Sequence, residues 1–223
     1  MNKYDEVINI QNLTKKINGQ IVLKQINLRI FSQKGIYGLV GENGSGKSML
    51  LKAICGFIGP TEGEVTVFGS PVGIKGLLAK YTGALIETPG ILKQYNCYSN
   101  LKYLADISGI KDENSITKAL LDVGLDPGDN RPAKKLSLGM MQKLGIAQAI
   151  LGNPKLLLLD EPTSNVDASS ISRLHELFLK LNDNGTTIII ASHRVDEVNK
   201  LCSNIITLKN GEVDVPKLSK EGI

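Results

Sequence analysis

Residues 41–48, GENGSGKS, have the types and spacing of a phosphate-binding loop, and they follow an apolar run at residues 36–40. Glycines let the backbone curl so that successive N–H groups converge on an anion, and a helix starting there turns its positive end toward the same point. In such a cradle Lys47 has the reach for the β and γ phosphates, and the Ser48 hydroxyl suits one coordination position of Mg²⁺. Gly41, Glu42, Asn43, Gly44, Ser45, Gly46 and Met49 complete the nucleotide-binding stretch expected here. Kinases, GTPases and ATPases all use such a loop, so the reaction has to be read from other residues.

Four leucines at 156–159 precede Asp160 and Glu161. A buried strand ending in this pair presents one carboxylate suited to orient Mg²⁺ through its water shell, Asp160, and a second, Glu161, suited to polarise an attacking water as general base. Without the phosphate loop, a strand running into solvated acids and a proline turn accounts for the same letters. In LSLGMMQ, residues 136–142, Ser137 and Gly139 open a helix whose free N–H groups form a second anion-binding terminus; alone, the same letters are an ordinary helix cap. His193 follows an apolar run at 187–191 and so falls at the same edge of a sheet as the acidic pair. His175 lies mid-helix and is assigned no role.

The elements that must position these residues are read from periodicity. Residues 7–13 and 21–30 alternate apolar and polar around Asn18-Gly19, which predicts an antiparallel hairpin. A buried strand at 36–40 leads into the loop, a helix runs from 47 to about 58, and a short strand covers 64–68. From about 69 to 133 the spacing turns helical, with Ser99 and Ser115 as expected caps and Gly109, Gly124 and Pro127 as stops. An α/β rhythm then resumes: a helix to about 151, strand 156–160, helix 168–181, strand 187–191, helix 195–201 and strands 205–209 and 212–215. Strands alternating with helices imply a parallel sheet with ligands at its carboxyl edge. The fold class is therefore α/β: a P-loop NTPase core with a mainly parallel sheet, an N-terminal antiparallel β subdomain and an inserted helical subdomain. Residues 1–86 and 134–223 form the expected core and 87–133 the insertion, with the helix of the LSLG motif starting near 137.

Of the 223 residues 42% are hydrophobic, enough for a substantial core. The net charge of +4 is spread among interspersed charges, with no basic run of the kind that binds nucleic acid. Cys55, Cys97 and Cys202 are too widely spaced for a metal site and read as reduced thiols. No apolar run reaches membrane-spanning length, and the first ten residues lack the apolar core of a leader, so a soluble chain is expected.

Taken in order, these motifs resemble those of the ATP-binding subunit of an ABC transporter, along essentially the whole chain. GENGSGKS resembles the Walker A motif, LLLLDE the Walker B motif, LSLGMMQ the family signature, residues 164–167 the D-loop and Ser192-His193 the switch histidine. The resemblance implies ATP and Mg²⁺ as cofactors and a head-to-tail homodimer closing over two nucleotides. Leu136, Ser137, Leu138, Gly139 and Gln142 would then face the other subunit's nucleotide, Asp167 would couple the sites and His193 would contact the γ-phosphate. Catalysis falls to Glu161, His193 and Lys47, and Mg²⁺ to Ser48, Glu87 and Asp160. It also implies a separate integral membrane permease as partner, no nucleic acid, and a place in the cytoplasm, peripheral on the inner face of the membrane.

Three positions depart from the family pattern. Glu87, in ALIETPG, stands where a glutamine is usual and adds a charge near phosphates. Ile17 stands where an aromatic normally stacks on adenine, and it offers no π face. Leu138 replaces the second signature glycine. Glutamate followed by proline, together with LSLG, resembles the bacitracin and lantibiotic (bacteriocin) resistance and immunity exporters. The competing class is a soluble, non-transport ABC ATPase acting as a nucleotide-dependent interaction protein; such proteins carry tandem cassettes or coiled-coil insertions, which this chain lacks. A regulatory subunit that hardly hydrolyses ATP is disfavoured by Lys47, Asp160, Glu161 and His193.

Overall fold

The computed structural model describes residues 5–32, 35–74 and 76–214. The expected end of the last strand at Val215, and the first four of the ten residues read above for a leader, lie outside them. The chain divides into two compact units, Met1–Phe31 with Tyr37–Ala79 and Ala191–Ile223, and Ser32–Ile36 with Lys80–Ile190.

In the first unit, β1 (Glu6–Ile17) and β2 (Gln20–Phe31) form the predicted hairpin, longer at both ends than their alternation indicates. Asn18 and Gly19 turn it with φ of 50° and 80°, the paired left-handed conformations that a two-residue hairpin needs. Alternation is interrupted where Asn12 and Gln25 both take positive φ and the register shifts. The Asn12 N–H donates to Asn27 Oδ1 at 3.0 Å, so a side chain replaces the ladder bond lost at this bulge. β4 (Glu62–Val67) and β5 (Ser70–Pro71) extend the sheet in the order β2-β1-β4-β5. Ile8, Ile10, Leu13, Leu23, Ile26 and Val65 are buried in it.

The same unit holds β3 (Ile36–Val40), buried at every residue, and α1 (Lys47–Cys55). The helix ends three residues before the expected Ile58. Gly56 takes φ 81°, its N–H bonds Ala53 O, and Phe57 N–H bonds back to Lys52 O at 2.9 Å, a glycine stop that the apolar letters Phe57 and Ile58 obscure. Strand β9 (Asn204–Lys209) runs parallel to β3, with Tyr37 opposite Asn204 and Val40 opposite Thr207, and β10 (Glu212–Asp214) returns antiparallel to it. Against β3, Gly38 leaves room for its neighbours from both sides. A Cβ there would run into Val198 of α6 (Val195–Leu201) and come within 3.1 Å of Ile205 Cδ1.

In the second unit, β6 (Thr82–Leu85), β7 (Leu156–Asp160) and β8 (Thr187–Ser192) are neighbours in the order β8-β7-β6, with β6 and β7 parallel. β7 and β8 are buried at every residue, as unbroken apolar runs require. Four helices accompany them: α2 (Cys97–Ile107), α3 (Glu113–Asp122), α4 (Leu138–Ile150) and α5 (Ala168–Asp183). The caps of α2 and α3 are Asn96 and Asp112, three residues ahead of the expected Ser99 and Ser115. Asn96 accepts the Ser99 N–H at 2.8 Å, and Ser115 Oγ instead donates to Asp112 O. Gly109 and Gly124 follow the helix ends with φ of 70° and 75°, as expected of stops. α4 rides close on β6: a Cβ on Gly145 would lie 2.9 Å from Leu85 Cδ1, and one on Gly83 would strike Ala149 O. At the base of the helical segment the N–H groups of Ala133 and Lys134 donate to Tyr95 O and Lys93 O at 2.8 and 2.9 Å.

Candidate functional site

Residues 41–48 run from the end of β3 into the first turn of α1 in the first unit. Gly44 and Gly46 take φ of 79° and 107°, which a side chain would strain. Gly41 has a different reason: a Cβ there would strike Leu208 O and come within 2.6 Å of Ser45 Oγ. The Ser45 N–H donates to Glu42 O at 3.1 Å, and Ser45 O accepts from Gly211 N–H at 2.9 Å, so the turn between β9 and β10 braces the loop. Gly211 and Leu208 are thus parts of the loop's support that carry no local signal in the sequence.

Lys47 is buried at 7% exposure, and its Nζ donates to Gly41 O at 2.7 Å and Glu42 O at 3.0 Å. Ser45 Oγ is buried without a hydrogen-bond partner among the described residues. The N–H groups of Lys47, Ser48 and Met49 start a helix whose first intrahelical bond is Leu50 N–H to Gly46 O, and the first turn carries no acid. A buried ammonium, an orphaned hydroxyl and a helix start are a donor set that fits phosphate oxygens. Ile17 closes β1 opposite Gln20 and is 38% exposed; Ile21 across the turn is also exposed. His193 is exposed directly after β8, where Arg194 N–H donates to Ser192 Oγ at 3.1 Å.

The second unit contains a cavity of about 530 Å³ whose wall includes Glu87, Lys93, Leu138, Gln142, Asp160 and Glu161. It therefore gathers the acidic strand end, Glu87 and the LSLG helix. Asp160 is buried at the end of β7. Glu161, Glu87 and Asn165 take φ of 48°, 58° and 61°, left-handed positions in residues that bear a Cβ, and such positions concentrate at functional sites. Among the described residues no three of the His, Cys, Asp and Glu side chains form a metal cage. Carboxylates so placed fit a Mg²⁺ that keeps waters and phosphate oxygens around it.

Ser137 caps α4, its Oγ accepting Met140 N–H at 3.2 Å. Leu138 is 64% exposed. Gly139 admits the 164–167 loop: a Cβ would lie 2.6 Å from Asn165 O. Leu136 precedes the cap and is buried. Gln142, on the second turn, donates from Nε2 to Glu161 O at 3.0 Å. Asp167 caps α5, with Oδ1 accepting from Ser169 Oγ at 2.5 Å and Ser170 N–H at 2.9 Å. Those bonds hold its carboxyl well below the usual carboxylate range. Sequence reasoning passed over Asn100, which is buried and ties its amide to the backbone of residues 92–96. A polar residue within an apolar helix face is the signal that marks it.

Among the described residues no helix is long and apolar enough to cross a membrane. The sequence matches the family described as ABC transporter over residues 23–164, a span that includes the phosphate loop, Glu87, α4 and the acidic strand end. The chain is 36% identical over 211 residues to the lantibiotic transport ATP-binding protein SrtF of Streptococcus pyogenes, covering 95% of this chain and 90% of that one. It is 39% identical over 221 residues to the bacitracin transport ATP-binding protein BcrA of Enterococcus faecalis, covering 96% and 71%. A dimeric ATP-binding cassette in a post-hydrolysis state with ADP and Pi superposes with a TM-score of 0.81 at 26% identity, over 93% of this chain and 97% of that one. Likeness of this extent, in sequence and in fold alike, places the chain in the ABC transporter family as an ATP-binding, ATP-hydrolysing subunit.

Proposed function

We propose that this subunit powers a separate integral membrane permease that exports a peptide antibiotic, bacteriocin or drug, working as a homodimer at the cytoplasmic face of the membrane. The observation that carries the cargo class is the similarity, at 36% and 39% identity, to relatives named for lantibiotic and bacitracin transport. The dimer is supported by the likeness to a dimeric cassette.

Residues 41–49 hold the triphosphate, with Lys47 and the Ser45 hydroxyl donating to its oxygens and Ile17 packing on the base. Ser48 and Asp160 would hold Mg²⁺, with Glu87 in their company, and the ion would supply charge neutralisation at the phosphoryl group. Glu161 takes a proton from the attacking water, and His193 donates to the γ-phosphate. Leu136, Ser137, Leu138 and Gly139 present the start of α4 to the partner subunit's nucleotide, and Asp167 links the two sites. The insertion around residues 87–101 receives the permease, with the half-exposed Tyr95 and its neighbour Tyr98 as contacts.

The test is to express the chain with its flanking genes, solubilise membranes in mild detergent and pull the subunit down. A polytopic membrane protein recovered in stoichiometric amount supports the proposal. Recovery of ribosomal or DNA-bound proteins in its place refutes it.

A further inference from the structure

We propose that Gln142 is a positioning residue for Glu161 of its own chain, so that the helix bearing LSLG sets the competence of the same subunit's general base. This deepens the functional reading above and rests on its assignment of Glu161 as the base.

The carbonyl oxygen of Glu161 has two lone pairs, and both are taken. Ser164 N–H donates to it at 3.1 Å, closing the local turn through Pro162 and Thr163. Gln142 Nε2 donates at 3.0 Å from another element, nineteen residues earlier in the chain. The peptide so held is not a relaxed one, since Glu161 has φ 48°. A residue with a Cβ stays in that region when its surroundings hold it there. Rotation of this peptide swings the Glu161 side chain, and a general base misplaced by an ångström loses most of its effect.

The same helix touches the loop beyond Glu161 at a second point. Gly139 lies against Asn165 O, where a Cβ would come within 2.6 Å. Gly139 and Gln142 are three residues apart, on one face of α4. At its start α4 is fixed by Ser137, through Met140 N–H to Oγ at 3.2 Å and Met141 N–H to Ser137 O at 2.9 Å. A helix is stiff over one turn. Whatever draws the Ser137 end therefore carries the Gln142 amide, and with it the Glu161 carbonyl. An amide committed to a carbonyl of its own chain serves this purpose rather than reading the partner's nucleotide.

The experiment uses the full chain and Mg·ATP. Gln142→Met keeps length and helix propensity and removes the donor; Gln142→Leu is the second variant, in case the first alters folding. Loss of one hydrogen bond that orients the base is expected to lower kcat about tenfold and leave KM for ATP within about twofold. In a Glu161→Gln background the same change should cost no further turnover, and gel filtration should still show the ATP-driven dimer. Unchanged kcat in both variants would overturn the proposal. So would loss of the dimer in the Glu161→Gln background, which would put Gln142 on the partner's nucleotide. So would an undiminished tenfold loss in that background, which would mark a role independent of the base. A wild-type chain that does not turn over Mg·ATP would remove the functional reading itself, and that result is distinct from all three.

Discussion

Replacing Asn100 by alanine should unfold the chain earlier and loosen one loop in particular. Asn100 is 2% exposed on α2. Its Oδ1 accepts Leu92 N–H at 2.8 Å, and its Nδ2 lies within reach of Leu92 O at 3.1 Å, Asn96 O at 2.9 Å and Tyr95 O at 3.3 Å. Two amide protons serve at most two of those carbonyls fully, so three bonds are at stake. At about 1 kcal/mol net apiece they amount to about 3 kcal/mol. For a chain of this size each kcal/mol moves Tm by roughly 2–4 °C, so the midpoint should fall by roughly 6–12 °C. Thermal unfolding followed by circular dichroism reads this directly. Asn100→Asp is a sharper version: it keeps the acceptor for Leu92 N–H, loses both donors and brings a charge into a buried site, and it should melt no higher than the alanine variant. Because residues 92–96 lie within the proposed permease-receiving segment, permease-stimulated ATP turnover should fall further than that of the isolated chain. A midpoint within about 2 °C of wild type for Asn100→Ala would refute the reasoning, since it would mean that the buried amide carries almost none of the per-bond value assumed for it.

Three other outcomes are expected. Glu161→Gln removes the base and keeps its shape, so hydrolysis should nearly stop while gel filtration with ATP at low salt shows a persistent dimer; a monomer under those conditions would count against the proposed pairing of subunits. Glu87→Gln should leave ATP binding unchanged and alter turnover or its coupling to transport, and identical kinetics and transport in both forms would make Glu87 a solvated loop acid. Asp167 contributes a cap whose carboxyl is held below its ordinary value, so its stabilisation is present above the unfolded carboxylate value near pH 4 and is lost as pH falls through the folded one. Melting curves of wild type and Asp167→Ala should therefore differ at pH 7 and converge as pH drops below about 4.

Much of the frame is legible because single residues decide it locally. Asn18-Gly19 demands the paired left-handed turn, and the buried strands at 156–160 and 187–192 are built on unbroken apolar stretches at 156–159 and 188–191. Where the reading slipped, a nearby residue of similar chemistry competed. Ser99 and Ser115 are good caps in the abstract, yet Asn96 and Asp112 stand three residues earlier and outrank them. Phe57 and Ile58 continue an apolar period past a glycine that has already ended the helix. β6, with the letters TGAL, is short and half-exposed, and its identity comes from pairing with β7. The support of the site is harder still to see. Gln142 to Glu161, Gly139 to Asn165 and Gly211 to Ser45 are contacts between distant residues, and no local period encodes them.

The brace on the phosphate loop also has a bearing on how the protein is made. Lys47 and its glycines are synthesised well before Gly211, whose N–H holds Ser45 O and whose carbonyl accepts Lys24 N–H. At about 5–20 residues per second, roughly ten to thirty seconds of translation separate the two. During that interval a nascent chain carries the motif without its support, so the gain in stability that nucleotide gives the finished protein is withheld from the partial one. ATP in the cell is thereby a ligand that favours chains in which Gly211 has already reached the loop.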